Sequence, residues 1–253
     1  MPGAERAEIY FIAAMMILIM VISIAAVFFF FKTYRKEMRD KKERIERKNE
    51  QRKAEVNSSS EIWINNNIMP HPKILDISKA ILVIVDVQEA FRNVIGDFAL
   101  IASNISIAVR GFQILELPIV VTEQYPKGLG RTAEEILLSL PDDFDFIEKT
   151  AFSSCGADLF QKKLKDLKAG QIVLCGFETH VCVNQTAHDL LDQGFDVHLL
   201  TDCVGSRREA DKQAGLAKMR QRGVVPSSFE MALFELMRDS RHEKFKEIQA
   251  IIK

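Results

Sequence analysis

The hydrophobic positions of this chain fall into three regimes. From Ile9 to Phe31 runs IYFIAAMMILIMVISIAAVFFFF, 23 residues without a charge, Gly, Pro, Asn or Gln. As a helix it reaches about 35 Å at ~1.5 Å per residue, enough to cross a hydrocarbon core of about 30 Å. The pattern predicts a transmembrane helix. A cleaved signal peptide needs a basic start, a shorter apolar stretch and small residues at its exit. Here Glu5, Arg6 and Glu8 precede the run and four phenylalanines close it.

The second regime is polar. Residues 32–53, KTYRKEMRDKKERIERKNEQRK, carry 11 Lys or Arg against 5 Asp or Glu. A basic flank stays in the cytosol, which places residues 1–8 on the far side of the membrane and the rest of the chain inside. Glycosylation of the sequon at Asn184 would contradict that orientation. Interleaved acids favour a solvated helical stalk over an RNA-binding patch. Residues 54–77, with NSSS and NNN runs and two prolines, complete a stalk and linker over 32–77.

Beyond residue 78 the pattern changes to short apolar runs alternating with helical periodicity. AILVIVD (80–86), PIVVTE (118–123), DFIEK (145–149), QIVLCG (171–176) and DVHLLTD (196–202) read as strands, the first covered on both faces. Helical spacing occupies 98–116, 131–139, 156–168, 181–193 and 207–222. Strict alternation predicts an α/β domain with a mainly parallel sheet and helices on both faces.

Composition then refines the picture. The chain has 253 residues, 47% hydrophobic and 27% charged, with a net charge of -1. That average hides a basic collar and an acidic domain, since residues 80–253 hold 20 basic against 25 acidic side chains. The acidic domain argues against a nucleic-acid partner. The four cysteines, Cys155, Cys175, Cys182 and Cys203, show no CxxC spacing and read as free thiols in a cytosolic domain.

Open parallel sheets bind ligands outside the carboxyl ends of their strands. Asp86 ends the first strand, Lys149 the third, and the fourth runs through Gly176 to Cys182 at a helix start. Each has a bland role open to it, as turn former, surface charge or small core residue. Together they offer a nucleophile. A helix N-terminus and a cation stabilise a thiolate, and a carboxylate accepts the thiol proton. His180 lies two residues before Cys182, a spacing that points its ring elsewhere. No HExxH, GxSxG or GxxxxGK[ST] motif is present.

The segments ILVIVDVQEAF, EQYPKGLGRT, EKTAFSSC, GFETHVCVNQTAHDLLDQGFDVHLLTDCVGSR and SSFEMALFELMRDSRHEKFKEI resemble the isochorismatase-like cysteine hydrolases, the animal isochorismatase domain-containing proteins most of all. The resemblance spans residues 78–253. It implies a Rossmann-like three-layer domain of about six parallel strands and a catalytic triad of Asp86, Lys149 and Cys182. In the implied mechanism Asp86 takes the Cys182 proton, Lys149 holds the ion pair, and the thiolate attacks a small amide or related carbonyl compound through a thioester. The resemblance further implies a non-proline cis peptide at Phe177–Glu178, with Glu178 and Cys182 supplying the oxyanion site. It also implies substrate contacts from Phe91, Gln124 and Tyr125, and homo-oligomers built through this domain. No cofactor is implied. Nicotinamidase members carry an Asp-x-His metal motif where this chain reads TEQYPKGLGRT, so no metal is expected. The alternatives are a tethered binding or scaffold module of the same fold without useful turnover, and an RNA-associated protein using the collar.

Overall fold

The computed structural model describes residue 71 and residues 73–253; the segments read as N-terminus, transmembrane helix and most of the stalk lie outside the described residues. Among the described residues no helix is long and apolar enough to cross a membrane.

The β-branched runs pair as the alternation requires. Strands β1 (Ala80–Val85), β2 (Ile119–Gln124), β3 (Ile147–Lys149), β4 (Gln171–Phe177), β5 (Asp196–Gly205) and β6 (Val225–Ser227) form one sheet in the order β3-β2-β1-β4-β5-β6. All five pairings are parallel, so every strand ends at the same edge. The order reverses direction at β1 and β4, the two central strands, and between their ends lies the crevice that such a reversal opens.

Successive side chains of a strand alternate between faces, and the two cores divide accordingly. Leu82, Ile84, Val173 and Leu200 pack with helices α1 (Phe98–Ile114), α7 (Phe229–Met237) and α8 (Phe245–Ile252). Ile81, Val83, Val85, Ile172 and Leu199 pack on the opposite face with α4 (Asp158–Asp166), α5 (Asn184–Asp192) and α6 (Glu209–Arg222). In α1 the buried set Phe98, Ile101, Ala102, Ile105, Ala108, Val109 and Phe112 is one helical stripe. Two short helices, α2 (Pro126–Leu129) and α3 (Glu134–Leu137), lie between β2 and β3.

Several expectations shift. The helix expected over 131–139 contracts to the four residues of α3, because Thr132 and Ala133 are drawn into hydrogen bonds with Glu123 and the Val87 carbonyl. The helix expected from 181 begins as a π-helical turn at Thr179. Strand β5 runs on to Gly205, with a register shift opposite Leu174 and Gly176. Strand β6 carries Pro226, which cannot donate to a ladder and is tolerated only at the sheet edge. The packed body begins ahead of residue 78. Leu75 is fully buried, its N–H donating to Glu235 and its carbonyl accepting from Arg238.

Candidate active site

Asp86 leaves β1 with a positive φ of 53°, which turns its carboxylate inward at the crevice. Its Oδ1 accepts from Thr122 Oγ1 at 2.8 Å and its Oδ2 from Lys149 Nζ at 2.7 Å. Both side chains of this ion pair are fully buried. Lys149, the last residue of β3, also reaches Gln124 Oε1 at 2.7 Å and the carbonyls of Phe152 and Ala151 at 2.9 and 3.1 Å. A buried ammonium is stable only when its donors are engaged, and here acceptors surround it.

The loops that present these acceptors are clamped from below. Gln88, fully buried, accepts from the Gln124 N–H at 2.8 Å and donates to the carbonyls of Gln124 and Gly130 at 3.1 and 2.6 Å. A line of hydroxyls continues from Asp86 through Thr122 to Ser154 and Thr186, and the Ser154 N–H donates to Thr186 Oγ1 at 2.9 Å. It joins Asp86 to α5, the helix that follows Cys182.

Cys182 sits in the π-helical turn Thr179–Val183 that follows β4. The peptide Phe177–Glu178 is cis, as the resemblance implies. Past it, the Glu178 carbonyl accepts from the N–H groups of Val181 and Val183 at 3.0 and 3.3 Å, and Thr179 Oγ1 donates to the Gly205 carbonyl at 3.0 Å. Gly176, with φ 121°, packs so tightly on β1 that a Cβ there would meet the Val85 carbonyl at 2.1 Å. The turn is thus fixed at both ends, with Cys182 buried in it.

The electrostatics differ from the expectation of a stabilised thiolate. Burial pushes the Cys182 thiol up to about 12, and the Asp86 and Glu178 carboxylates add to that against Lys149. Burial also raises the Asp86 carboxyl above its usual range, opposed by Lys149 and Thr122. Lys149 draws the thiol down, but burial and the Asp86 carboxylate outweigh it. The thiol is protonated at neutral pH and faces a carboxylate of raised basicity.

The other expected residues separate. Gln124 holds Lys149. Tyr125, 54% exposed and left-handed at φ 38°, lines a cavity of about 470 Å³ with Pro126, Lys127, Lys149 and the Gly156–Leu159 segment. Phe91 packs edge-on against Phe177 at 6.0 Å, beside the cis bond. His180 bonds Ser206 Oγ at 3.0 Å and lies 4.0 Å from Asp211. The remaining cysteines are free, with Cys175 and Cys203 buried and the thiol of Cys155 pushed up to about 11. Among the described residues no three His, Cys, Asp or Glu side chains are grouped to hold a metal ion. Residues 123–125, where a metal motif would fall, are engaged with Thr132, Lys149 and the cavity wall instead.

Sequence reasoning passed over Gln88, Thr122, Ser154 and Arg207. Gln88 stands in the segment ILVIVDVQEAF and Arg207 ends the segment that closes on DCVGSR, and those segments were their only signal.

Comparison with known proteins agrees with this architecture. Residues 80–231 match the Isochorismatase domain. Isochorismatase domain-containing protein 2 of Xenopus laevis is 40% identical over 175 residues, covering 68% of this chain and 83% of that protein. A Caenorhabditis elegans structure described as MAR1 ribonuclease superposes with a TM-score of 0.67 at 36% identity, over 71% of this chain and 92% of that one. A zinc-bound pyrazinamidase of Pyrococcus horikoshii gives a TM-score of 0.51 at 26% identity, over 59% and 99%. With its six-stranded parallel sheet and a domain match over more than half its length, the chain belongs to the isochorismatase family.

Proposed function

We propose that this chain is a cysteine hydrolase of small amides or related carbonyl compounds. The observation that carries the reading is the fully buried Asp86–Lys149 pair, 2.7 Å apart, with the Cys182 thiol within its electrostatic reach.

In this reading a substrate carbonyl enters beside Cys182 and Asp86 accepts the thiol proton as the sulfur attacks. Lys149 keeps the carboxylate oriented throughout and stabilises the charge left on it after the proton is passed on. Backbone N–H groups of the turn, at Glu178 and Cys182, donate to the developing oxyanion. Collapse breaks the C–N bond, and the amine leaves with the proton from Asp86. Water, deprotonated by Asp86, then cleaves the thioester and restores the thiol. Because the thiol rests protonated, transfer to Asp86 accompanies attack rather than preceding it. Gln124 and Tyr125 border the entry, while Phe91 supports the turn from behind. No step uses a metal or cofactor, and the donor set at 123–125 does not suit a metal. Amide hydrolysis is favoured by the likeness to the pyrazinamidase.

The test is a panel of small amides and esters offered to the full chain, with Cys182→Ala as control and a short RNA in parallel. Hydrolysis of one small carbonyl compound, lost in Cys182→Ala, is expected. RNA cleavage instead would favour the activity for which the nematode structure is described. Tight binding without turnover would favour the scaffold reading.

Three further readings accompany this one. Residues 9–31 anchor the chain in a bilayer, with residues 1–8 outside and the stalk and hydrolase domain in the cytosol; the uncharged apolar run and its basic flank support this. Protease digestion of intact vesicles tests it. Asn184 is only 7% exposed, so absence of glycan there does not report orientation. The domain self-associates, as the family resemblance implies, and light scattering tests that.

A further inference from the structure

The Ser206–Arg207 pair that follows β5 has no part in the mechanism above, although it lies at the carboxyl edge of the sheet. Arg207 directs both its backbone N–H and its Nε at one oxygen, Glu178 Oε1, at 3.1 and 3.0 Å. The Glu178 side chain is 8% exposed and belongs to the residue just past the cis bond, four positions before Cys182. A carboxylate so buried needs a counter-charge, and Arg207 is the one that reaches it. We propose that Arg207 is a positioning residue of the cysteine site, acting through Glu178: it fixes the turn that carries Cys182 and neutralises the carboxylate at the start of that turn.

The surrounding charges make this effective. Asp86 and Glu178 both disfavour ionisation of Cys182, and Lys149, committed to Asp86, opposes both. Asp211 of α6 also favours the charged form of Arg207 and lies 4.0 Å from His180. Arg207 therefore relieves one of the two carboxylates around the sulfur without touching the Asp86 that must accept its proton.

The inference rests on Cys182 being the reactive thiol, but it can be read without any substrate. In the full chain at pH 8, iodoacetamide alkylation is followed cysteine by cysteine by mass spectrometry. Below the thiol pKa the rate follows the thiolate fraction, so half to one pKa unit appears as a change of about 3- to 10-fold. Arg207→Ala and Arg207→Gln are expected to slow Cys182 labelling by about that factor, with screening at the exposed guanidinium favouring the lower figure. Arg207→Lys should stay within about twofold of the unmodified chain. Adding Glu178→Gln should abolish the effect of Arg207→Ala, since no charge is then left to neutralise. Equal slowing with and without Glu178→Gln, or no slowing, overturns the proposal. So does new labelling of Cys175 and Cys203, which would mean that the pair holds the fold rather than the site. A failure of the hydrolase reading leaves these rates unaffected and shows only in the substrate panel.

Discussion

Lys149→Met removes the ammonium at the centre of the site while keeping most of the side-chain volume. At pH 8 the variant leaves the Asp86 carboxylate buried without its cation and strips acceptors at Gln124, Ala151 and Phe152 of their donor. Breaking one partner from a buried pair costs about 3 to 5 kcal/mol, and the stranded acceptors overlap with that figure rather than adding to it. For a domain of this size each kcal/mol moves the melting temperature by about 2 to 4 °C, so a fall on the order of 10 °C is expected. The pH dependence is more diagnostic. Asp86 is already raised in the folded chain by burial, and Lys149 is the main force opposing that rise. Without Lys149 the folded carboxyl rises further above its unfolded value, so the native state binds the proton more tightly than the unfolded state. Stability held by that proton is present below the unfolded value and is lost as pH rises through the folded one. The deficit of Lys149→Met should therefore shrink between pH 8 and pH 5, as Asp86 becomes neutral and needs no cation. Urea unfolding of both chains at the two pH values measures it. Equal stability at pH 8, or a deficit that grows on acidification, would refute the buried-pair argument.

Gly176→Ala should prevent stable folding, because its Cβ meets backbone of β1, the Val85 oxygen at 2.1 Å and nitrogen at 2.7 Å, in a conformation that L residues rarely adopt; near-native circular dichroism and melting would contradict this. His198 is fully buried in β5 with neither ring nitrogen hydrogen-bonded, and burial lowers its pKa although Glu235 and Asp196 pull it up. Folding then weakens as pH falls below the unfolded histidine value of about 6.5. His198→Leu should raise stability at pH 7.5 by about 1 to 3 kcal/mol and flatten the loss between pH 6.5 and 5, read from urea midpoints; an unchanged pH slope would sink the idea.

What the sequence revealed and what it hid follow from how each residue is held. AILVIVD and QIVLCG announced buried parallel strands because both faces of a central strand must be apolar, and the α1 stripe at Phe98, Ile101, Ile105 and Phe112 followed from helical geometry alone. Parallel pairing then sends all strand ends to one edge, so Asp86, Lys149 and the turn to Cys182 could be placed together from order alone. Strand β6 escaped because three residues around Pro226 carry no period, and the edge position that permits a proline is a property of the assembled sheet. The clamps escaped for a related reason. Gln88 reaches 42 residues to Gly130, and Arg207 reaches 29 back to Glu178; no local pattern encodes such a pairing. The protonation of the thiol is decided at the same level. Lys149 draws the Cys182 thiol down, but burial and the Asp86 carboxylate that Lys149 is bound to together push it up by more. Sequence therefore identifies the groups that can meet a substrate, while their resting charge depends on contacts made across the fold. That division leaves the resting charge of Cys182 to its burial and to Asp86 first, with Lys149 opposing them and Glu178 a smaller influence from the start of the same turn.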